Sequence, residues 1–308
     1  MRFHGFDYLR AAGMLAVVYI HGCDTNEFAR RGMKWLGFAV PCFFMMSAFL
    51  AQLSILKKPQ LGFGELLTSR LKRLAPPFLL WSGLYVAVRF AKSKATGAEL
   101  NSTLTGVVFW GDASHQLYFV PMLIYLFVGW AGVMVLARRL PGVAMLTCAA
   151  GVLAAVLLES TIQTAMPANR WFVSVNLVWF PAAMLVALLV RRDWFQTKWL
   201  FWPAVVSTVA MFLGDVVNVY WIAFSALALA LSIDRPAPSW VGFLSKYSFG
   251  VYLVHVLLIE GMQFAAPRLR LDPTSLWTTG PIIVFAAIGS YAMCALLGRF
   301  NATRWSVT

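Results

Sequence analysis

The chain reads as an all-α, polytopic transmembrane helical bundle of about ten spans. Three observations predict it. Of 308 residues, 60% are hydrophobic and only 12% charged, against roughly 25% charge in a soluble domain. Mean hydropathy is +0.74. The apolar residues fall in long continuous runs and do not alternate, which argues against a transmembrane β-barrel. So little charge could not clothe a water-facing surface, so a soluble enzyme and a disordered tail protein are excluded.

A spanning helix needs about 20 mostly apolar residues. The runs lie near 7–23, 35–56, 74–91, 116–137, 141–158, 172–190, 199–214, 216–233, 243–265 and 277–298. The first opens on Asp7-Tyr8-Leu9-Arg10 and ends at His21. The second centres on Val40 to Leu50. The third follows the basic cluster Ser69-Arg70-Leu71-Lys72-Arg73, and the fourth opens at His115. The fifth begins beyond Arg138-Arg139, and the sixth closes on Arg191-Arg192. The seventh and eighth are short and share a turn at Gly214-Asp215. Fused, they would make nine spans and move the C-terminus to the other side. The ninth carries His255 in mid-span with Glu260 five residues on, and the tenth closes before Arg299. The longest polar connector, 92–115, leaves no room for a soluble second domain, so residues 1–308 read as one integral-membrane domain.

The net charge of +13 would suggest nucleic acid in a soluble protein. Here the basic residues sit between apolar runs, where they set topology. Nucleic-acid binding is not expected; membrane lipid is the expected surroundings. With ten spans, sixteen of the 25 Lys and Arg residues fall on the side of the termini, which predicts both termini in the cytoplasm of a cell (inner) membrane. Cys23, Cys42, Cys148 and Cys294 form no CxxC pair and read as buried apolar thiols. Ile20-His21-Gly22-Cys23 faintly resembles a lipoprotein cleavage site, but His21 is large where a small residue belongs, so the first run reads as an uncleaved span.

Ionisable groups inside a membrane are costly and mark candidate sites. His21 stands eleven positions after Arg10, which is three helical turns plus about 20°. The two therefore share one face, about 16 Å apart along the axis. Asp7, three residues before Arg10, lies on that face too. Taken singly, Arg10 could snorkel to headgroups and His21 could cap the helix end. Together on one stripe, with an acid beside the arginine, they read as a site. Arg70, Lys72 and Arg73 are either topology anchors or a phosphate cradle. His115 suits an aromatic belt, and His255 suits either a site or a satisfied core histidine. There is no GxxxxGK[ST] loop, no GxSxG elbow and no paired His/Cys metal spacing. A His-x4-Asp pair is missing, since His4/Asp7 and His21/Asp24 are each three apart. No metal is expected.

Phe6-Asp7-Tyr8-Leu9-Arg10, ten residues, then His21 resembles the opening of the integral-membrane acyltransferase family 3. Val40-Pro41-Cys42-Phe43-Phe44-Met45-Met46-Ser47-Ala48-Phe49-Leu50 resembles its second-span motif. Arg70-Leu71-Lys72-Arg73-Leu74-Ala75-Pro76-Pro77, the stretch His115 to Pro121 and the stretch Ser248 to His255 resemble three more, in order, across about 250 residues. Ala48 replaces the common glycine, and Tyr118 stands where tryptophan is usual. Family members often carry a C-terminal hydrolase-like domain; none is expected in 1–308. The resemblance implies transfer of an acyl group, commonly acetyl, from acyl-CoA (acetyl-CoA above all) to a hydroxyl of a sugar, glycan or glycolipid. It implies His21 as general base, assisted by Arg10 and Asp7. Arg70, Lys72 and Arg73 would hold the donor phosphates, and His115, Tyr118 and His255 would meet the acceptor. The rival reading is a proton-coupled secondary transporter, which calls for a repeat between the two halves; none is visible.

Overall fold

The computed structural model describes residues 3–23, 26–58, 60–97, 103–167, 170, 172–191, 197–214, 218–272 and 274–307. Among them regular structure is entirely helical. The helices are α1 (Gly5–Gly22), α2 (Glu27–Leu36), α3 (Ala39–Lys57), α4 (Phe63–Thr96), α5 (Phe119–Leu136), α6 (Pro141–Ala165), α7 (Phe172–Asn176), α8 (Trp179–Arg191), α9 (Phe201–Leu213), α10 (Val219–Ser232), α11 (Ser239–Ala265), α12 (Leu276–Leu297) and α13 (Asn301–Arg304). Among the described residues seven helical stretches are long and apolar enough to cross a membrane. α1 has the length, at 18 residues, but Asp7, Arg10 and His21 dilute its hydropathy.

Several elements differ from the expected runs. α2 is a separate amphipathic helix ahead of the second run. Asn26 caps it by accepting from the Ala29 amide at 2.8 Å, the ordinary way to satisfy a first-turn donor. α4 begins eleven residues before the third apolar run and is 34 residues long, about 51 Å. It outreaches a hydrocarbon core of about 30 Å, so the basic cluster sits on a helical extension. Pro76 and Pro77 lie inside it and remove two amide donors. The sixth run is broken into α7 and α8. α9 and α10, at 13 and 14 residues, are separate helices and pack together. Of the turn expected between them, Gly214 caps α9 and Asp215 lies outside the described residues.

α1 is the axle of the bundle, packed against α3, α10, α11 and α12. Phe6, Met14, Val17 and Val18 are buried along it. Close approach depends on small residues, as it does where lipid supplies no hydrophobic drive between helices. A Cβ on Gly5 would stand 1.8 Å from the Ala230 carbonyl oxygen of α10. Gly5→Ala should therefore force the α1–α10 crossing apart, at an overpacking cost of about 1–3 kcal/mol. A lowered melting temperature of the detergent-solubilised protein checks this; an unchanged one would show that the crossing can slide.

Two connectors expected on one side of the bundle do meet. Arg138, at the end of α5, donates from Nε to the Ile55 carbonyl at 3.2 Å and from its Nη2 to the Leu61 carbonyl. The α5–α6 turn and the α3–α4 connector are thereby tied together. The segment after α12 folds back: Trp81 Nε1 donates to the Ser306 carbonyl at 3.0 Å, and Val307 is buried against Gly250.

Candidate active site

α1 threads past two cavities that abut. The first, about 730 Å³, is lined by Asp7, Arg10, Arg70, Arg73, Lys246 and Arg304 among its charged groups. The second, about 890 Å³, is lined by His21, His115, Tyr118, Arg89, Asp112, Glu159, Arg170 and several aromatic rings. Val17, Val40, Phe119 and Tyr252 line both. The stripe read from the sequence is therefore real in its direction but divided: Arg10 faces one chamber, His21 the other, and four side chains form the partition.

In the first chamber Asp7 is the anchor. Its Oδ1 accepts from Ser245 Oγ of α11 at 2.8 Å and stands 3.7 Å from Arg10 Nη1. The carboxylate thus holds a guanidinium inside the bundle, where an unpaired charge is costly. Arg70 lies over the Phe127 ring at 5.4 Å, and its Nε is buried without a hydrogen-bond partner among the described residues. Arg70 and Arg73 face this chamber. Lys72 does not; it turns to a smaller hollow lined by Pro76, Pro77, Trp305 and Arg73, which borders both. On a helix, residues two apart point away from each other, so one cluster serves two surfaces. Lys246 and Arg304 complete the cationic wall. Between spans they read as topology residues, and no local signal brings them to the site.

At the wall of the second chamber three of the chain's four histidines converge, two lining it and one behind them. His21 Nδ1 and His115 Nε2 are 2.8 Å apart in a hydrogen bond, and the ring centroids are 4.5 Å apart. The His255 ring lies 5.2 Å from His21. His255, read as an acceptor contact, is fully buried and lines neither chamber. It stands behind His21. Its Nδ1 donates to the Val251 carbonyl at 3.0 Å, leaving Nε2 buried without a partner among the described residues. The turn that carries it is clamped from α4. Tyr85 Oη donates to the Leu253 carbonyl and accepts from the Leu257 amide, each at 3.0 Å.

His115 reaches His21 because the connector before α5 is shaped, not slack. A π-helical turn, Gly106–Trp110, ends at Gly111 with φ +73°. A Cβ there would stand 2.5 Å from the Leu117 carbonyl carbon, so only glycine fits. A 3₁₀ turn, His115–Tyr118, follows, and the Tyr252 hydroxyl pins it by donating to the Gln116 carbonyl. Tyr118 lines the same chamber and is hydrogen-bonded to Asn176. A bidentate ion pair joins Arg170 to Asp112, at 2.5 and 2.7 Å. The carboxylate raises the Arg170 pKa further above the usual guanidinium range. Arg170 also lies 4.8 Å from the Trp110 ring centroid. The Tyr220 hydroxyl donates to Glu159, and the Tyr220 ring lies 4.9 Å from that of Trp179. Apart from Tyr118, none of these wall residues stands out in the sequence, where each is a lone polar or aromatic residue.

The chemistry available is a cationic chamber suited to phosphates, joined through an apolar partition to a histidine cluster flanked by aromatic faces and paired polar groups. Among the described residues no group of three His, Cys, Asp or Glu side chains is arranged to hold a metal ion. A family model described as an acyltransferase domain matches residues 3–299. No curated protein and no solved structure matches the chain.

Proposed function

The chain belongs to the acyltransferase family 3 and is a multi-pass membrane acyltransferase; from that premise we propose that it carries an acyl group from acyl-CoA in the cationic chamber to a hydroxyl group in the histidine chamber. The carrying observation is that α1 places Arg10 in one chamber and His21 in the other, across a shared wall.

Acyl-CoA enters at the basic end. Arg10, Arg70 and Arg73 match its phosphate oxygens with planar donor forks. Lys246 and Arg304 add charge. The thioester end reaches through the partition of Val17, Val40, Phe119 and Tyr252. The acceptor occupies the other chamber, where Trp110, Tyr118, Trp179 and Tyr220 offer flat faces beside hydrogen-bonding groups. That pairing of apolar faces with a few placed polar groups suits a sugar ring of a glycan or glycolipid, which has C–H faces and a hydroxyl edge. His21 takes the proton from the acceptor hydroxyl. The oxygen bonds to the acyl carbon, the carbon–sulfur bond breaks, and the electron pair leaves on the CoA thiolate, which takes a proton from water. Acetyl is the proposed acyl group. The basic end faces the cytoplasm of an inner membrane, which puts both termini there.

The test is purified protein in nanodiscs given isotope-labelled acetyl-CoA and a panel of neutral and acidic glycans and glycolipids, with products read by mass spectrometry. A product heavier by one acetyl group, dependent on the protein, is the expected result. Label that stays on CoA with every acceptor would overturn the reading.

A further inference from the structure

We propose that His115 is the positioning residue that fixes the tautomer of His21 and drains the proton His21 takes, so that base work is divided between two imidazoles. The inference rests on the general-base reading above and adds a second residue to it.

The bond between His21 Nδ1 and His115 Nε2, at 2.8 Å, can run in two directions. If His115 donates, His21 Nδ1 is the acceptor and His21 Nε2 carries the hydrogen. The ring would then present a donor and could not deprotonate a hydroxyl. If His21 Nδ1–H donates, Nε2 keeps its lone pair and is a base. Only the second direction is compatible with catalysis. It makes His115 Nε2 an acceptor, the place a carboxylate holds in the serine-hydrolase triad. A neutral imidazole there orients the ring in the same way, and unlike a fixed anion it also carries the proton onward.

Position supports the division. His21 lies in the last turn of α1, where the carbonyl end of the helix favours the imidazolium that forms. His115 is exposed and lines the second chamber, so a proton passed to it can leave. His255 fixes the direction of passage. Its Nδ1 is committed to the Val251 carbonyl and the ring is fully buried, so a proton sent inward would be trapped. The acceptor O–H proton goes to His21 Nε2 as the acyl–oxygen bond forms, the His21 Nδ1 proton moves to His115 Nε2, and water takes a proton from His115. Once product has left, water in the chamber takes the Nε2 proton of His21 while the shared proton returns to His21 Nδ1 and His115 regains a proton from water, which restores the starting tautomers.

The experiment compares wild type with His115→Gln and His115→Ala in nanodiscs, using histidine labelled with ¹⁵N and ¹³C, with His21→Asn used to assign the His21 signal. Wild type should show neutral His21 as the Nδ1–H tautomer. Gln, whose side-chain oxygen can accept that hydrogen, should keep the tautomer; Ala should mix the two forms. Acyl transfer should lose about 10–100-fold in kcat in the Ala variant, the cost seen when partners that orient metal-bound histidines are removed. The acceptor KM should be nearly unchanged. Gln should fall between the two, since it orients but carries no proton. An Nε2–H tautomer in wild type would overturn the proposal. So would an Ala variant with normal kcat, or one changed only in acceptor KM, which would make His115 a binding contact. Absence of transfer by wild type would overturn the base reading and the proton step with it. The tautomer arm needs no turnover and decides the direction of the hydrogen bond separately.

Discussion

His21→Ala should cost acyl transfer about 10²–10⁴-fold, the range general-base catalysis supplies, while the protein inserts and melts as the wild type does. The two halves of this expectation have different origins. His21 lines the second chamber and is only half-buried, so truncation leaves no packed core void of the kind that costs stability. Its chemical loss cannot be made good by its neighbours. His255 is sealed behind it with Nδ1 committed to the Val251 carbonyl. His115 approaches through the nitrogen already bonded to His21. His21→Gln sharpens the test, because an amide keeps hydrogen bonding but is no base. Initial rates of product formation at saturating donor and acceptor, beside the melting temperature of each variant, give the answer. Transfer within a few-fold of wild type by a well-folded His21→Ala protein would remove His21 as the base.

How much of this was legible in the sequence follows from the range of the signal. The spans are local facts. Apolar runs long enough to cross a membrane have one way to satisfy their backbone there, as helix, so α3, α5, α6, α8, α11 and α12 overlap the expected runs. The alignment of Asp7, Arg10 and His21 is also local, being helical periodicity alone. What periodicity does not encode is which cavity each face meets. Arg10 and His21 lie on one stripe yet line different chambers, because Phe119 and Tyr252 come from distant helices to stand between them. The histidine cluster is non-local in the same sense. His115 is 94 residues from His21, and only the packing of α1 against α11, with the 3₁₀ turn laid over them, brings the three rings together. The family-like stretches that contain His21, His115 and His255 pointed to the three residues, but not to their contact. The Asp112–Arg170 and Glu159–Tyr220 pairs had no hint, since single charges near helix ends normally mark a membrane interface. The early start of α4 was obscured because its first eleven residues carry four charges, Glu65, Arg70, Lys72 and Arg73, and hydropathy marks where a helix enters lipid, not where it begins.

Neutralising Arg70 and Arg73 together, as Arg70→Gln/Arg73→Gln, should raise the donor KM far more than the acceptor KM. Each charge-assisted hydrogen bond to an ionised group contributes about 1.5–3 kcal/mol, a factor of about 10–150 in binding. One such bond per arginine therefore predicts a large shift even after nearby cations compensate. Arg10, Lys246 and Arg304 line the same chamber and will hold some of the phosphate charge, so the effect should fall short of the product of two single losses. Lys72 supplies the control. It is in the same basic cluster and equally suited to topology, but it faces the hollow by Trp305, so Lys72→Gln should leave donor KM near wild type. Arg10→Lys asks a different question. A lysine keeps the charge but loses the planar fork and the reach to Asp7, whose carboxylate also binds Ser245. It should lower kcat more than it raises donor KM if Arg10 aligns the thioester end, and raise KM alone if Arg10 only binds phosphate. Steady-state kinetics with donor varied at fixed acceptor, and the reverse, separate these outcomes. A cluster that acts only by anchoring topology would instead give equal, small changes for all three positions, and an unchanged donor KM in the double variant would return Arg70 and Arg73 to that role.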